Sequence, residues 1–198
     1  MRKQTRPPEP GVLAEHGTRW NRQWRDLRER NPQANFQWYR TDNRSARDWI
    51  LPDLREMTQG HCAFCDAFPL EDRSTEPIEH FRPKSDPRFY NQAYAWENLY
   101  YCCERCQSNK GEQWDDRLLR PDATDYSFTE YFDFNFRTGM IQPNATAERA
   151  DQLRAEVTID LYGLDSDARR RYRKLERRRW RKDRSDINRC AYRDFLES

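Results

Sequence analysis

Cys62-Ala63-Phe64-Cys65, then Ile78-Glu79-His80-Phe81-Arg82-Pro83-Lys84, Trp96-Glu97-Asn98-Leu99 and Cys103-Glu104-Arg105-Cys106-Gln107-Ser108-Asn109-Lys110-Gly111 make up the stretch on which the fold turns. Two thiols spaced Cys-x-x-Cys suit one edge of a zinc tetrahedron, and a second such pair completes a four-sulfur site. Cys62, Cys65, Cys103 and Cys106 are therefore expected to hold a structural zinc. Cys102 could replace Cys103, but its wider spacing to Cys106 suits the geometry less well. A site of four thiolates has no open coordination position, so the chemistry must sit elsewhere. Cys190 lies far away in an expected helix and reads as a small packed residue.

Composition explains why such a staple is needed. Charged residues make up 35% of the 198-residue chain and apolar residues only 35%, so aliphatic burial is thin. Aromatic residues, at 14%, supply buried area instead and argue against disorder. The net charge of +2 hides an uneven spread, because Arg169 to Arg184 is overwhelmingly Arg and Lys. That stretch reads either as a solvated helix face or as a surface for nucleic acid or an acidic partner. No run approaches the roughly 18 apolar residues that span a bilayer. The start, Met1-Arg2-Lys3, leads into no apolar stretch, so no signal peptide is expected. A cytoplasmic location is expected, and there closely spaced cysteines bind metal or stay reduced rather than forming disulfides.

The expected fold class is α+β: a small zinc-stapled core set between mainly helical segments. Residues 1–58 open as a Pro-rich arm. They turn helical from about Gly17, with Trp20, Trp24 and Leu27 on one face, and a second helix is expected over Ser45 to Thr58. Trp49, Ile50, Leu54 and Met57 share its apolar face, and Pro52 threatens to interrupt it. Residues 59–122 read as short strands and turns around the cysteines. Ile78 to Phe81 is strand-like, Trp96 to Cys102 is a second apolar run, and Gln107 to Trp114 suits a short helix. Residues 123–198 read as mainly helical. An aromatic segment from Phe128 to Phe136 precedes a turn at Thr138-Gly139, a helix spans Ala145 to Tyr162 with Gly163 as its stop, and Asp165 or Ser166 caps the basic helix.

Between the cysteine pairs, Glu79-His80 followed by Pro83, Asn98-Leu99 ahead of the second pair, and Asn109-Lys110-Gly111 after it resemble the signature of the HNH, or ββα-metal, nucleases. More narrowly, Met1-Arg2-Lys3, the run from Glu79 to Lys84, Trp96 to Leu99 and Leu119 to Asp122 look like the HNH subunits of anti-phage systems of the Septu and retron type. The specific part of the resemblance covers about residues 60–122. It implies a ββα-metal core, an endonuclease acting on nucleic acid (DNA rather than RNA), one catalytic Mg²⁺ or Mn²⁺, and an ATPase partner subunit.

The residue chemistry suits that expectation. Phosphodiester hydrolysis needs a base to activate water and a cation to balance charge on the phosphate. His80 is the expected base, since imidazole titrates near neutral pH. Glu79, its strand neighbour, is by resemblance a hard oxygen ligand for the catalytic metal. Asn98 is by resemblance the residue that ties the loop beside the base. The family places Asn or His directly after the last cysteine as second metal ligand, whereas this chain has Gln107. Asn109 is the rival. Gln107 shares a helix face with Lys110, which favours it. Arg82, Lys84 and Lys110 are candidates for holding phosphate oxygens. His16 and His61 read as structural. The competing expectation is a non-catalytic zinc ribbon that binds nucleic acid or protein through residues 169–184, which leaves Glu79-His80 without a role.

Overall fold

The computed structural model describes residues 1–70, 78–184 and 186–197, so part of the segment between the cysteine pairs, 71–77, lies outside the described residues. Among the described residues the architecture is mixed, with helices packed around three two-stranded antiparallel sheets. Isolated two-stranded sheets are marginal in water, so each needs a helix or a metal-bearing turn against it. Among the described residues no helix is long and apolar enough to cross a membrane.

Helix α1 (Gly11–Arg30) starts earlier than its apolar pattern suggests and ends at Asn31, whose extended backbone suits the residue before Pro32. Its buried stripe is Leu13, Gly17, Trp20 and Trp24. Leu27, expected on that face, is 40% exposed, because the helix outruns the surface it covers. Polar groups on the stripe grip the loop that follows Glu79-His80. The Asn21 side-chain oxygen accepts from the Tyr94 N–H at 2.7 Å, and the Trp24 indole donates to the Lys84 carbonyl at 2.9 Å.

A minimal hairpin, β1 (Arg40–Thr41) and β2 (Arg44–Ser45), leads into α2 (Ala46–Met57). Ser45 caps this helix, accepting from the Asp48 N–H. Pro52 does not break α2. A proline removes the bond to the carbonyl four residues back, and here that carbonyl, on Asp48, accepts from the Arg44 guanidinium at 2.6 Å. Ala46, Ile50 and Leu54 are buried. Trp49 departs from the expected core face and lies outside beneath Arg44, whose guanidinium sits 4.3 Å from the ring centre.

Strand β3 (Ile78–His80) pairs antiparallel with β4 (Leu99–Tyr101), setting Glu79 opposite Tyr100 and His80 opposite Leu99. Helix α3 (Glu104–Lys110) follows at once, earlier and shorter than the Gln107-to-Trp114 helix expected from sequence. Cys103 takes the N-cap position, and Gly111 stops the helix with a positive φ of 51°. The order is strand, strand, helix.

The C-terminal part is less helical than expected. After α4 (Phe128–Tyr131), the aromatic segment forms a hairpin of β5 (Phe132–Asn135) and β6 (Met140–Pro143). Gly139, at φ +81°, turns that hairpin, and a Cβ there would overlap the Arg170 backbone carbonyl. Gly139→Ala is therefore expected to cost about 2–3 kcal/mol, combining strain at positive φ with the clash. Thermal melts check this, and an unchanged midpoint would contradict the turn as described.

Helices α5 (Arg149–Leu161) and α6 (Asp167–Asp183) follow, separated by a turn at Gly163. Ser166 takes the N-cap position of α6 without a side-chain bond, while Asp165 accepts from the Ile141 N–H and pairs with Arg170. Cys190 is buried as expected, though it follows a short 3₁₀ turn, Ile187–Arg189, rather than lying in a helix. Helix α7 (Arg193–Glu197) is stapled to the first cysteine pair by a buried ion pair, Arg193 Nη2 to Asp66 Oδ1 at 2.7 Å. Met1 is buried too, and Arg6 bonds Asp122 at 2.6 Å and the carbonyls of Trp96 and Leu99, so the N-terminal arm is docked along β4.

Candidate metal centre and the adjoining Glu79-His80 site

The first cysteine pair lies in the turn after α2 and the second opens α3, so the fold brings together two sites far apart in sequence. The sulfur atoms of Cys62, Cys65, Cys103 and Cys106 all lie within 4.8 Å of one another, and all four residues are buried. A tetrahedron with Zn–S bonds near 2.3 Å has edges of roughly 3.8 Å, and Cys65 and Cys103 stand 3.6 Å apart. The cluster could hold a structural zinc. Cys102 is outside it. Its sulfur lies 3.9 Å from Cys62 Sγ but bonds the Cys103 carbonyl, and the four sulfurs that lie together are those of the narrower spacing.

The cluster divides. Burial pushes the Cys106 thiol well up from its ordinary pKa, and hydrogen bonding to Cys106 pushes Cys103 up. Cys62, against its burial, and Cys65 are instead pulled down by hydrogen bonds from neighbouring cysteines. Crowded thiolates in a dry interior need a cation to ionise together. One compensating charge comes from the protein. Arg169 is 2% exposed and donates to Cys106 Sγ at 3.1 Å and to the Tyr162 carbonyl at 3.0 Å. Despite its burial, the surrounding cysteines hold this guanidinium firmly charged. Nothing in the arginine run marks Arg169 as different from its neighbours, so sequence reading missed it.

Glu79 and His80 lie on β3, just beyond the cluster, and both are buried. The His80 Nε2 sits 2.9 Å from the Ala93 carbonyl, an acceptor only, so Nε2 carries the proton and Nδ1 keeps its lone pair. Burial, aided by the Lys84 cation, pulls the imidazole pKa well below its ordinary value, so the ring is neutral at pH 7. Trp38 stacks on the ring at 5.5 Å and Phe36 meets it edge-on at 5.0 Å. Both come from the segment between α1 and β1, a cover that no local signal announced.

Glu79 is engaged with Lys110. The ammonium, itself fully buried, donates to Glu79 Oε1 at 2.7 Å and to the His80 carbonyl at 3.1 Å. Burial raises the Glu79 carboxyl to about 6 even so, with Lys110 opposing. In this arrangement the Lys110 ammonium, expected to hold phosphate, is unexposed and engaged with Glu79 instead. Asn98 ties the loop: its oxygen accepts from the Arg82 N–H at 2.7 Å, and its amide donates to the Arg82 and Gln92 carbonyls. Arg82 and Lys84 are half-buried beside it. Gln107 donates to the Cys102 carbonyl at 3.0 Å, and Asn109 to the Tyr162 carbonyl at 3.2 Å. Lys110, on the same helix, reaches Glu79. His61, buried between the Gln59 and Cys190 carbonyls, is a packing residue.

Fold and site together define an α+β chain with a buried four-cysteine cluster able to bind zinc beside a strand-borne Glu-His pair. No protein-family model matches the chain. Over 64 residues it is 36% identical to the Septu protein PtuB of Bacillus mycoides (strain KBAB4), a match that takes in 27% of this chain and 21% of that protein's length.

Proposed function

We propose that the chain is a metal-dependent HNH-type endonuclease acting in an anti-phage defence system together with an ATPase subunit. The observation that carries the reading is the Nε2–Ala93 bond, which orients a neutral imidazole with Nδ1 as the remaining proton acceptor. That is the state a general base needs. The strand–strand–helix order around the cysteine cluster, with Glu79-His80 on the first strand, supports it. The partial match to PtuB supports the defence setting.

In the proposed reaction His80 Nδ1 takes a proton from water as the water oxygen attacks phosphorus, the bond to the leaving sugar oxygen breaks, and that oxygen takes a proton from solvent to leave as a hydroxyl. Arg82 and Lys84, half-exposed beside the base, hold the phosphate oxygens. Glu79, with the amide oxygen of Gln107 or Asn109, would hold the Mg²⁺ or Mn²⁺. That ion would supply charge neutralisation at the phosphate. Two contacts must open first: Trp38 and Phe36 must leave the ring, and Lys110 must release the carboxylate. The same two contacts favour the second reading, a silent zinc module that only binds.

Plasmid nicking with Mg²⁺ or Mn²⁺, with the ATPase partner present, tests the proposal. His80→Ala is expected to lower the rate about 10²–10⁴-fold. Equal nicking by wild type and variant would remove His80 from the chemistry. A wild-type complex that never nicks would favour the binding module.

A further inference from the structure

Helix α6 carries ten Arg or Lys residues against three acidic ones; Arg177 lies over the Phe136 ring, and the structure sorts the other nine into two sets. Arg169 and Arg173 are buried against carbonyls, the Cys106 sulfur and Asp165, Arg170 pairs with Asp165, and Arg179 pairs with Glu176. Arg171, Lys174, Arg178, Arg181 and Lys182 have no carboxylate partner among the described residues. Their spacing of i, i+3, i+7, i+10 and i+11 places them in one stripe on the face opposite the buried arginines. Lys174, Arg178 and Lys182 also follow one another at i, i+4 and i+8, an arrangement in which like charges destabilise a helix. The buried face holds the helix together, and a polyanion laid on the stripe would relieve the repulsion.

A second observation gives the polyanion its class. Beside the stripe, between α3 and α6, lies a hollow of ≈ 380 Å³ lined by Arg105, Arg171, Tyr172, Leu175 and Ala168. Arg105 is exposed and has no ion-pair partner among the described residues, and Tyr172 is 56% exposed, an unusual cost for an aromatic ring. Cations in a row with an aromatic face beside them are what a single strand of nucleic acid binds, phosphates on the cations and an unpaired base on the ring. A duplex keeps its bases stacked inside and would leave Tyr172 unused. We infer that α6 is a track for single-stranded nucleic acid, with phosphates along Lys174, Arg178 and Lys182 and a base on Tyr172 beside Arg105 and Arg171. The track shares its ligand class with the proposed nuclease but not its chemistry. Binding is read without added divalent metal, so failure to nick leaves the track standing, and failure to bind leaves His80 to its own test.

The experiment is fluorescence anisotropy with labelled oligothymidylate of about 20 nucleotides and a duplex of equal length, over about 50–200 mM salt. Lys174→Gln/Arg178→Gln/Lys182→Gln is expected to lower the slope of log K against log salt by about 2 for the single strand. Tyr172→Ala is expected to weaken strand binding about 5- to 100-fold while leaving duplex binding unchanged. All four positions are exposed or half-exposed, and circular dichroism with zinc content verifies that the variants fold. An unchanged slope in the triple variant overturns the inference. So does equal strand and duplex binding that ignores Tyr172. Displacement of the strand by polyglutamate at equal charge concentration would assign the stripe to an acidic protein surface instead, and would also overturn it.

Discussion

Cys65→Ser is expected to abolish the stable fold. The physical case is one of scale. Domains of this kind keep about 5–15 kcal/mol of net stability, whereas zinc bound at four thiolates contributes about 10–16 kcal/mol in small metal-stapled domains. Apart from the cluster, the turn after α2 is tied to the strand that leads into α3 mainly by the Ala63 N–H to Tyr101 carbonyl bond at 2.8 Å and the Phe64–Tyr100 ring contact. Once zinc is lost the cysteines become neutral thiols, and Arg169 is left buried beside a cluster that no longer balances its charge. The expected result is insoluble protein, or soluble protein without zinc and with a molten near-ultraviolet spectrum. Strong chelation of the wild type should give the same spectrum. A folded Cys65→Ser protein with one zinc per chain would show that the cluster is not a four-thiolate site.

Lys110→Met is expected to cost about 3–5 kcal/mol, because it leaves a buried carboxylate without its partner. The cost should depend on pH, and its sign follows from the direction of the Glu79 shift. Burial raises that carboxyl from 4.5 to about 6. The stability that comes from its protonation is therefore fully present below 4.5 and is lost as pH rises through about 6. Without Lys110 the carboxyl rises further, so the variant can relieve its buried charge by taking a proton. Urea unfolding should then show a larger deficit relative to wild type at pH 8 than at pH 6. Glu79→Gln/Lys110→Met, which removes both charges, should recover most of the loss. An equal deficit at both pH values, with no recovery in the double variant, would mean that the ion pair does not carry the effect.

Sequence and structure agree best where a feature is local. The α2 helix within Ser45 to Thr58, Gly163 after α5 and β3 over Ile78 to His80 all rest on residues close together along the chain. The misses have a common cause as well. Leu27 and Trp49 fit helical periodicity but lie outside, because periodicity gives a direction and not the extent of the surface it meets. Pro52 looked like a break, and what repairs it is a guanidinium from the preceding hairpin. The aromatic run from Phe128 to Phe136 read as part of a helical region. It became a hairpin because Gly139 can take a positive φ against the Arg170 carbonyl.

The cysteine cluster was legible from residue order, because chelate geometry constrains each pair over four consecutive residues and leaves only the joining of the pairs to the fold. The nomination of Glu79 and His80 also came from order, through their place between the pairs. Their present state did not. Lys110 on Glu79, Ala93 and Trp38 on His80, and Arg169 on Cys106 are each contacts between separate segments. Hydrogen-bond partners and burial set the protonation and access of these groups. Both are properties of the packed interior, so only the tertiary structure could decide which charges are spent inside and which remain on the surface of α6.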